Sequence, residues 1–179
     1  MFDNLRADTR RLREIKSKPF PWYVLESLLF ENGYQAVVLH RVAHWFKAHG
    51  VPFFGPLTAR TSLFWTGVDI APAAKIGPGL RIAHGNGLVV GWRAEIGGDA
   101  LLMQQVTIGA PTTARLEEMP KIGDRVTIGA GAAVIGPVTV GDDVFIGAHA
   151  LVTRDVPSGS KVLATCGVEI RPRRPESSA

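Results

Sequence analysis

The sequence has 179 residues, 46% of them hydrophobic and 20% charged, with a formal charge of +4, which suits one domain with a real core and a small appendage. The basic excess is diffuse, with no Lys/Arg run among aromatics, so an anionic ligand is favoured and nucleic acid is not an expected partner. The one cysteine, Cys166, rules out an internal disulfide, has no neighbouring base to mark it as a nucleophile, and makes a reducing compartment the expectation.

Along the chain, residues 3–16 read as a short charged helix without the apolar segment of a secretory signal, so a cytoplasmic protein is expected. "WYVLESLLF" at 22–30 is apolar but short and carries Glu26, so no membrane association is expected. A second helical stretch ends at an Asn32-Gly33 break. A third follows, with Val38, Val42, Trp45 and Phe46 on one stripe, stopped by Gly50 and Pro52. His40 and His44 are four apart in "HRVAH". Arg41 stands where a zinc-peptidase helix needs Glu, no third ligand is evident, and no metal is expected.

Near Gly67 the period changes. Aliphatic residues recur every six positions at Ile70, Ile76 and Ile82. After a jump of eight come Val90, Ile96, Leu102 and Ile108, and after a jump of fourteen Ile122, Ile128, Val134, Val140, Ile146 and Val152. A small or aliphatic residue precedes each late hexad position by two, and glycine follows most of them. This is the hexapeptide pattern of a parallel β-helix. Three hexads make one triangular coil, and the inward aliphatic residue stacks on its equivalents about 4.8 Å away. The predicted organisation is a helical segment over 1–66, a β-helix over 67–164 and a C-terminal tail over 165–179. Residues beyond the hexad count cannot enter the coil, so 83–88 ("AHGNGL") and 110–120 ("APTTARLEEMP") must leave it as loops. Loops on a rigid scaffold are where chemistry tends to sit.

The motifs "TGVDIAPAAKIGPGLRIAHGNGLVVG", "VTIGA" and "KIGDRVTIGAGAAVIGPVTVGDDVFIGAHALVTRDVP", preceded by "ENGYQAVVLHRVAHWFKAHG", resemble the serine O-acetyltransferase family of left-handed β-helix acyltransferases. The resemblance implies a mainly β fold, a left-handed parallel β-helix behind a small helical segment, and transfer of acetyl from acetyl-CoA to a small-molecule hydroxyl acceptor. It implies His84, in "AHGNG", as the catalytic base and Asp69, in "VDIAP", as the carboxylate that orients it. A hydroxyl is a poor nucleophile at neutral pH, and a placed imidazole that takes its proton contributes roughly 10²–10⁴-fold. By position in the family, CoA lies against late coils at Gly109, Ala130 and Ala148, with Arg154 and Lys161 as phosphate partners. The tail arginines, Arg171, Arg173 and Arg174, are read as disordered. A homotrimer, or a multiple of three, follows from the habit of the fold, with the site facing a neighbouring subunit's groove.

The family's serine contacts are altered. The acid before the catalytic histidine is Ala83, and a second acid, in the N-terminal region, aligns with Lys18. In the long loop Glu118 and Met119 replace arginine and histidine, Trp92 replaces a glutamate, and "DIHP" has become "DIAP" at Ala71. Trp92 and Met119 suit a larger, less polar acceptor. The expectation is an O-acetyltransferase acting on a sugar or secondary-metabolite hydroxyl. The alternative is a genuine serine O-acetyltransferase, with Arg115 supplying the lost positive charge. A non-catalytic scaffold ranks last, because His84 and Asp69 are both kept. The family's C-terminal isoleucine is absent, so no sulfhydrylase complex is expected.

Overall fold

Every hexad residue points into a three-sided coil. The computed structural model describes residues 2–13, 16 and 19–164. Face A stacks Asp69–Ile70, Val89–Val90, Thr107–Gly109, Ala133–Ile135 and Leu151–Val152. Face B stacks Lys75–Ile76, Glu95–Ile96, Lys121–Ile122 and Thr139–Val140. Face C stacks Arg81–Ala83, Leu101–Met103, Thr127–Ile128, Phe145–Ile146 and Lys161–Val162. All pairings are parallel, and the registers join the hexad residues to one another: Ile70 to Val90 to Ile108, Ile76 to Ile96 to Ile122, Ile82 to Leu102 to Ile128. These residues are buried in one continuous core. At roughly 1.5–3 kcal/mol per fully buried aliphatic side chain, this column is the main stabilising element.

Four helices precede the coil: α1 (Phe2–Arg13), α2 (Trp22–Phe30), α3 (Asn32–Ala48) and α4 (Phe54–Thr66). None of the helices among the described residues is long and apolar enough to cross a membrane. The break between α2 and α3 falls at Glu31, whose backbone is extended, and Asn32 and Gly33 belong to the first turn of α3. Gly67, at φ 72°, closes α4 in the left-handed region, and the coil begins there.

The buried face of α3 is not the expected one. Ala36, Val37, His40, Arg41 and Ala43 are buried, whereas Trp45 is exposed and Val38, Val42 and Phe46 are only half-buried. Close approach explains the difference. A Cβ on Gly33 would lie 2.1 Å from the Ile82 carbonyl oxygen, so α3 meets the coil through small residues. The larger stripe packs helix on helix: Val38 joins Leu12, Tyr23 and Tyr34, and the Phe46 ring lies 5.4 Å from that of Phe54. Helix α4 has no apolar periodicity because its buried residues are Gly55, Ser62 and Thr66. Its aromatic residues Phe54, Phe64 and Trp65 are exposed.

Two polar groups inside the helical cap shape its energetics. Asp8 and Arg41 form a buried pair, 2% and 4% exposed. Arg41 Nε and Nη2 donate to the two Asp8 oxygens at 2.9 and 3.1 Å, and its Nη1 and Nη2 also donate to the carbonyls of Ile76 and Gly77. Asp8 Oδ1 in turn accepts the Leu80 N–H at 2.9 Å. The charged helix α1 and helix α3 are thereby clamped onto the first coil.

The second group is His40. Its ring is buried, and neither nitrogen has a hydrogen-bond partner among the described residues. Burial, followed by the Arg41 charge and His44, pushes it down from 6.5 to about 3. His44, 5.8 Å away ring to ring, donates from Nδ1 to the Pro72 carbonyl at 2.9 Å. The folded pKa lies below the unfolded one, so the unfolded chain takes up the proton first as pH falls. Stability is therefore complete above about pH 6.5 and declines down to about pH 3. Between pH 7 and 5 this one group is expected to remove about 2 kcal/mol. Urea denaturation at the two pH values measures it, and in His40→Met the loss should shrink by about that amount. An unchanged pH dependence in the variant would assign the loss to other groups.

Candidate active site

The loop expected at 83–88 leaves the coil at the edge where the chain turns from face C to face A. Its shape follows from one glycine. Gly85 is buried, and a Cβ there would lie 2.6 Å from Val68 Cγ2 and 3.0 Å from Ile82 Cγ2. Gly85 folds down onto the core, and the preceding residue is thrown outward. His84 takes a left-handed φ of 56° and its side chain is exposed. The rest of the loop is tied to the helical cap: Gly87 N–H donates to the Gly67 carbonyl at 2.8 Å, and Asn32 Nδ2 donates to Asn86 Oδ1 at 3.1 Å. The imidazole stands on a braced turn.

Asp69 opens the first strand of face A, just past the same edge. Val68 and Ile70 on either side of it point inward, and Asp69 points outward and is exposed. No hydrogen bond joins Asp69 to His84, and neither side chain has another such partner among the described residues. Ala83 is half-buried and leaves the position beside His84 without a charge. Behind them, between the first coil and the helical cap, lies a cleft of about 410 Å³ lined by Arg11, Lys16, Glu31, Asn32, Tyr34, Arg81, Ala83 and His84, among others.

The other acceptor candidates gather elsewhere, at the edge between faces A and B. The inserted loop contains one short 3₁₀ turn, Thr113–Arg115, and is pinned to the coil. Trp92 Nε1 donates to the Leu116 carbonyl at 3.1 Å, Arg93 pairs with Glu117, and Met119 Sδ fills the space beside Gly91, where a Cβ would meet it at 2.7 Å. Glu118 is not a bare anion. Arg115 grips it with two hydrogen bonds, Nε to Oε1 at 2.7 Å and Nη2 to Oε2. Lys18 lies outside the described residues, as do Cys166 and the arginines of the tail.

The candidate CoA residues are likewise divided. Gly109 ends a face-A strand at the A–B edge with open space around it, and Arg154 is exposed on the same edge. Ala130 and Ala148 stack at the C–A edge, where His149 N–H donates to the Ala130 carbonyl at 2.9 Å. Lys161 is exposed on face C. One chain does not bring these five to a single groove. Among the described residues there is no cluster of three or more His, Cys, Asp or Glu side chains able to hold a metal ion.

The family described as bacterial transferase hexapeptide (six repeats) matches residues 119–154. A serine acetyltransferase of Synechococcus elongatus is 40% identical over 167 residues, 93% of this chain and 68% of that protein. Solved structures share the fold, among them two with bound ligands. A serine acetyltransferase from Brucella abortus in complex with coenzyme A superposes with a TM-score of 0.78 at 32% identity, covering 87% of this chain and 61% of that one. A serine acetyltransferase from Neisseria gonorrhoeae in complex with serine superposes with a TM-score of 0.79 at 32% identity, covering 94% and 67%. The chain thus spans about two thirds or somewhat less of these solved proteins. The relatives favour the serine alternative over the sugar or secondary-metabolite acceptor expected from the altered contacts. By its identity to the cyanobacterial enzyme over two thirds of that enzyme's length, the chain belongs to the serine acetyltransferase family of hexapeptide-repeat transferases.

Proposed function

We propose that this chain is an acetyl-CoA-dependent O-acetyltransferase whose acceptor is free L-serine, with His84 as the general base. The observation that carries the reading is the placement of His84, held outward by the buried Gly85 at the mouth of a cleft. The imidazole takes the hydroxyl proton as the acceptor oxygen attacks the thioester carbonyl. The C–S bond then breaks, the acetyl group stays on oxygen, and the CoA sulfur leaves with the proton returned by the imidazolium. Asp69, outward on the same edge, orients the ring when the site closes.

Apart from Lys161 on face C and Lys18 outside the described residues, the acceptor and cofactor candidates occupy two edges of one prism. A homotrimer sets the A–B edge of one copy against the C–A edge of the next and gathers both groups around one substrate. The Arg115 pairing supports serine as acceptor. With Glu118 neutralised, the long loop no longer opposes a carboxylate, and the charge reversal that argued against serine loses its force.

A second reading has its own support: Ala83 beside His84, and Trp92 and Met119 on the edge that the trimer would bring to it, make the shared site less polar than a zwitterion requires, which favours another hydroxyl. One assay separates them. Thiol release from acetyl-CoA is measured with L-serine and with a panel of sugars and hydroxylated metabolites. The serine reading expects L-serine to lie within about tenfold of the best acceptor, about 1.4 kcal/mol in transition-state stabilisation. Serine at background beside an efficient alternative establishes the second reading. Calorimetry showing no CoA binding would leave only the scaffold.

A further inference from the structure

Among the described residues, the cleft beside His84 holds one cation without a partner. Arg11 donates to the Gly79 carbonyl at 2.8 Å and lies 3.5 Å from Asp99. Lys16 is paired with Glu31, and Asp8 is consumed by Arg41. Arg81 also lines the cleft, is half-buried, and has no hydrogen-bond or ion-pair partner among the described residues. The strand Arg81–Ala83 turns Ile82 inward, so Arg81 and Ala83 share the outer face, about 7 Å apart along the strand, with His84 next in the chain. This strand is the first of face C. It pairs only with Leu101–Met103, and α3 packs on its other side through Gly33. A half-buried guanidinium at a cleft wall is a planar fork suited to a carboxylate.

We propose that Arg81 is the acceptor's carboxylate anchor, which makes the acceptor class a hydroxyl-bearing carboxylate, L-serine included. The inference rests on His84 being the base of the reaction. It supplies from the chain's own first coil the positive charge that the long loop, with Glu118 tied to Arg115, does not offer. A CoA phosphate is the other anion available to Arg81. The strand Lys161–Val162 lies four strand spacings along face C, about 19 Å away, so the cofactor candidate Lys161 is remote from Arg81.

The test compares L-serine with L-serinamide, which keeps the hydroxyl and ammonium and lacks the carboxylate. The wild type should prefer L-serine by about 10–150-fold in kcat/KM, the worth of one charge-assisted hydrogen bond. In Arg81→Gln that ratio should fall toward one through a raised KM for serine, with the KM for acetyl-CoA unchanged, and Arg81→Lys should restore part of it. A ratio unchanged in Arg81→Gln overturns the anchor, and a raised KM for acetyl-CoA assigns Arg81 to a phosphate instead. If the wild type turns over neither compound, titration calorimetry decides. L-serine binding that Arg81→Gln abolishes supports the anchor while sinking serine as the reacting acceptor, and no preference of the wild type for L-serine over L-serinamide removes the anchor.

Discussion

Replacing His84 by Ala is expected to lower kcat by about 10²–10⁴-fold, the usual contribution of a placed general base. The effect should fall on kcat and kcat/KM together, because proton abstraction belongs to the transition state and not to ground-state binding. CoA affinity should change little, since the cofactor candidates Ala130 and Ala148 lie on later coils. The fold should tolerate the change, because the His84 ring is exposed and makes no hydrogen bond among the described residues. His84 does sit at φ 56°, and Asn at this site would keep the left-handed turn with less strain than Ala. His84→Asn therefore serves as the matched control: it should be as inactive as His84→Ala and melt closer to the wild type. Asp69→Asn should be milder, because Asp69 is not bonded to His84 in the single chain and its proposed role is only to orient the ring. Steady-state kinetics with the acceptor identified by the panel assay, run on all three variants, checks the set. Wild-type turnover in His84→Ala would refute the base assignment.

Asp8→Ala is expected to cost about 3–5 kcal/mol of folding stability, the penalty for leaving a buried charge without its partner. Arg41 would keep its carbonyl contacts to Ile76 and Gly77 but lose both charge-assisted bonds, and the Leu80 N–H would lose its acceptor. For a chain of this size that corresponds to roughly 6–20 °C in Tm. The cost is a penalty of removal and not the net worth of the pair. Two charges taken from water are replaced at little or no cost by apolar groups of similar volume. Asp8→Leu combined with Arg41→Met should therefore be clearly more stable than Asp8→Ala alone. Urea denaturation of the three proteins measures the energies. A loss below about 1 kcal/mol in Asp8→Ala would mean that water or a neighbouring group reaches Arg41 readily.

The coil and its two excursions were legible in the chain. A period of six specifies which side chain points inward, and every phased residue from Ile70 to Val152 stands in the core where the count placed it. The phase jumps marked both loops for the same reason: a stacked coil has no room for extra residues, so they must leave it. The exposed position of His84 beside the first jump followed from that count, and the base role proposed for it rests on the resemblance of "AHGNG" to the family loop.

What the tertiary structure alone decided depends on contacts that no period encodes. Asp8 and Arg41 are 33 residues apart, and Asp8 and Leu80 are 72 apart, so nothing in the charged pattern of α1 marks one of its acids as buried. The coil-facing side of α3 is small-residued because Gly33 must pass the Ile82 backbone, and the more apolar stripe went to the other helices. Glu118 is a reversed charge in the sequence, but its side chain is gripped by Arg115 three residues earlier, a pairing that loop geometry permits and sequence spacing does not require. The hexad count fixes inward against outward but not which edge an outward residue shares with another. That is why the acceptor candidates among the described residues, Ala83 on one side and Trp92, Arg115, Glu118 and Met119 on the other, stand on two separate edges of the folded prism.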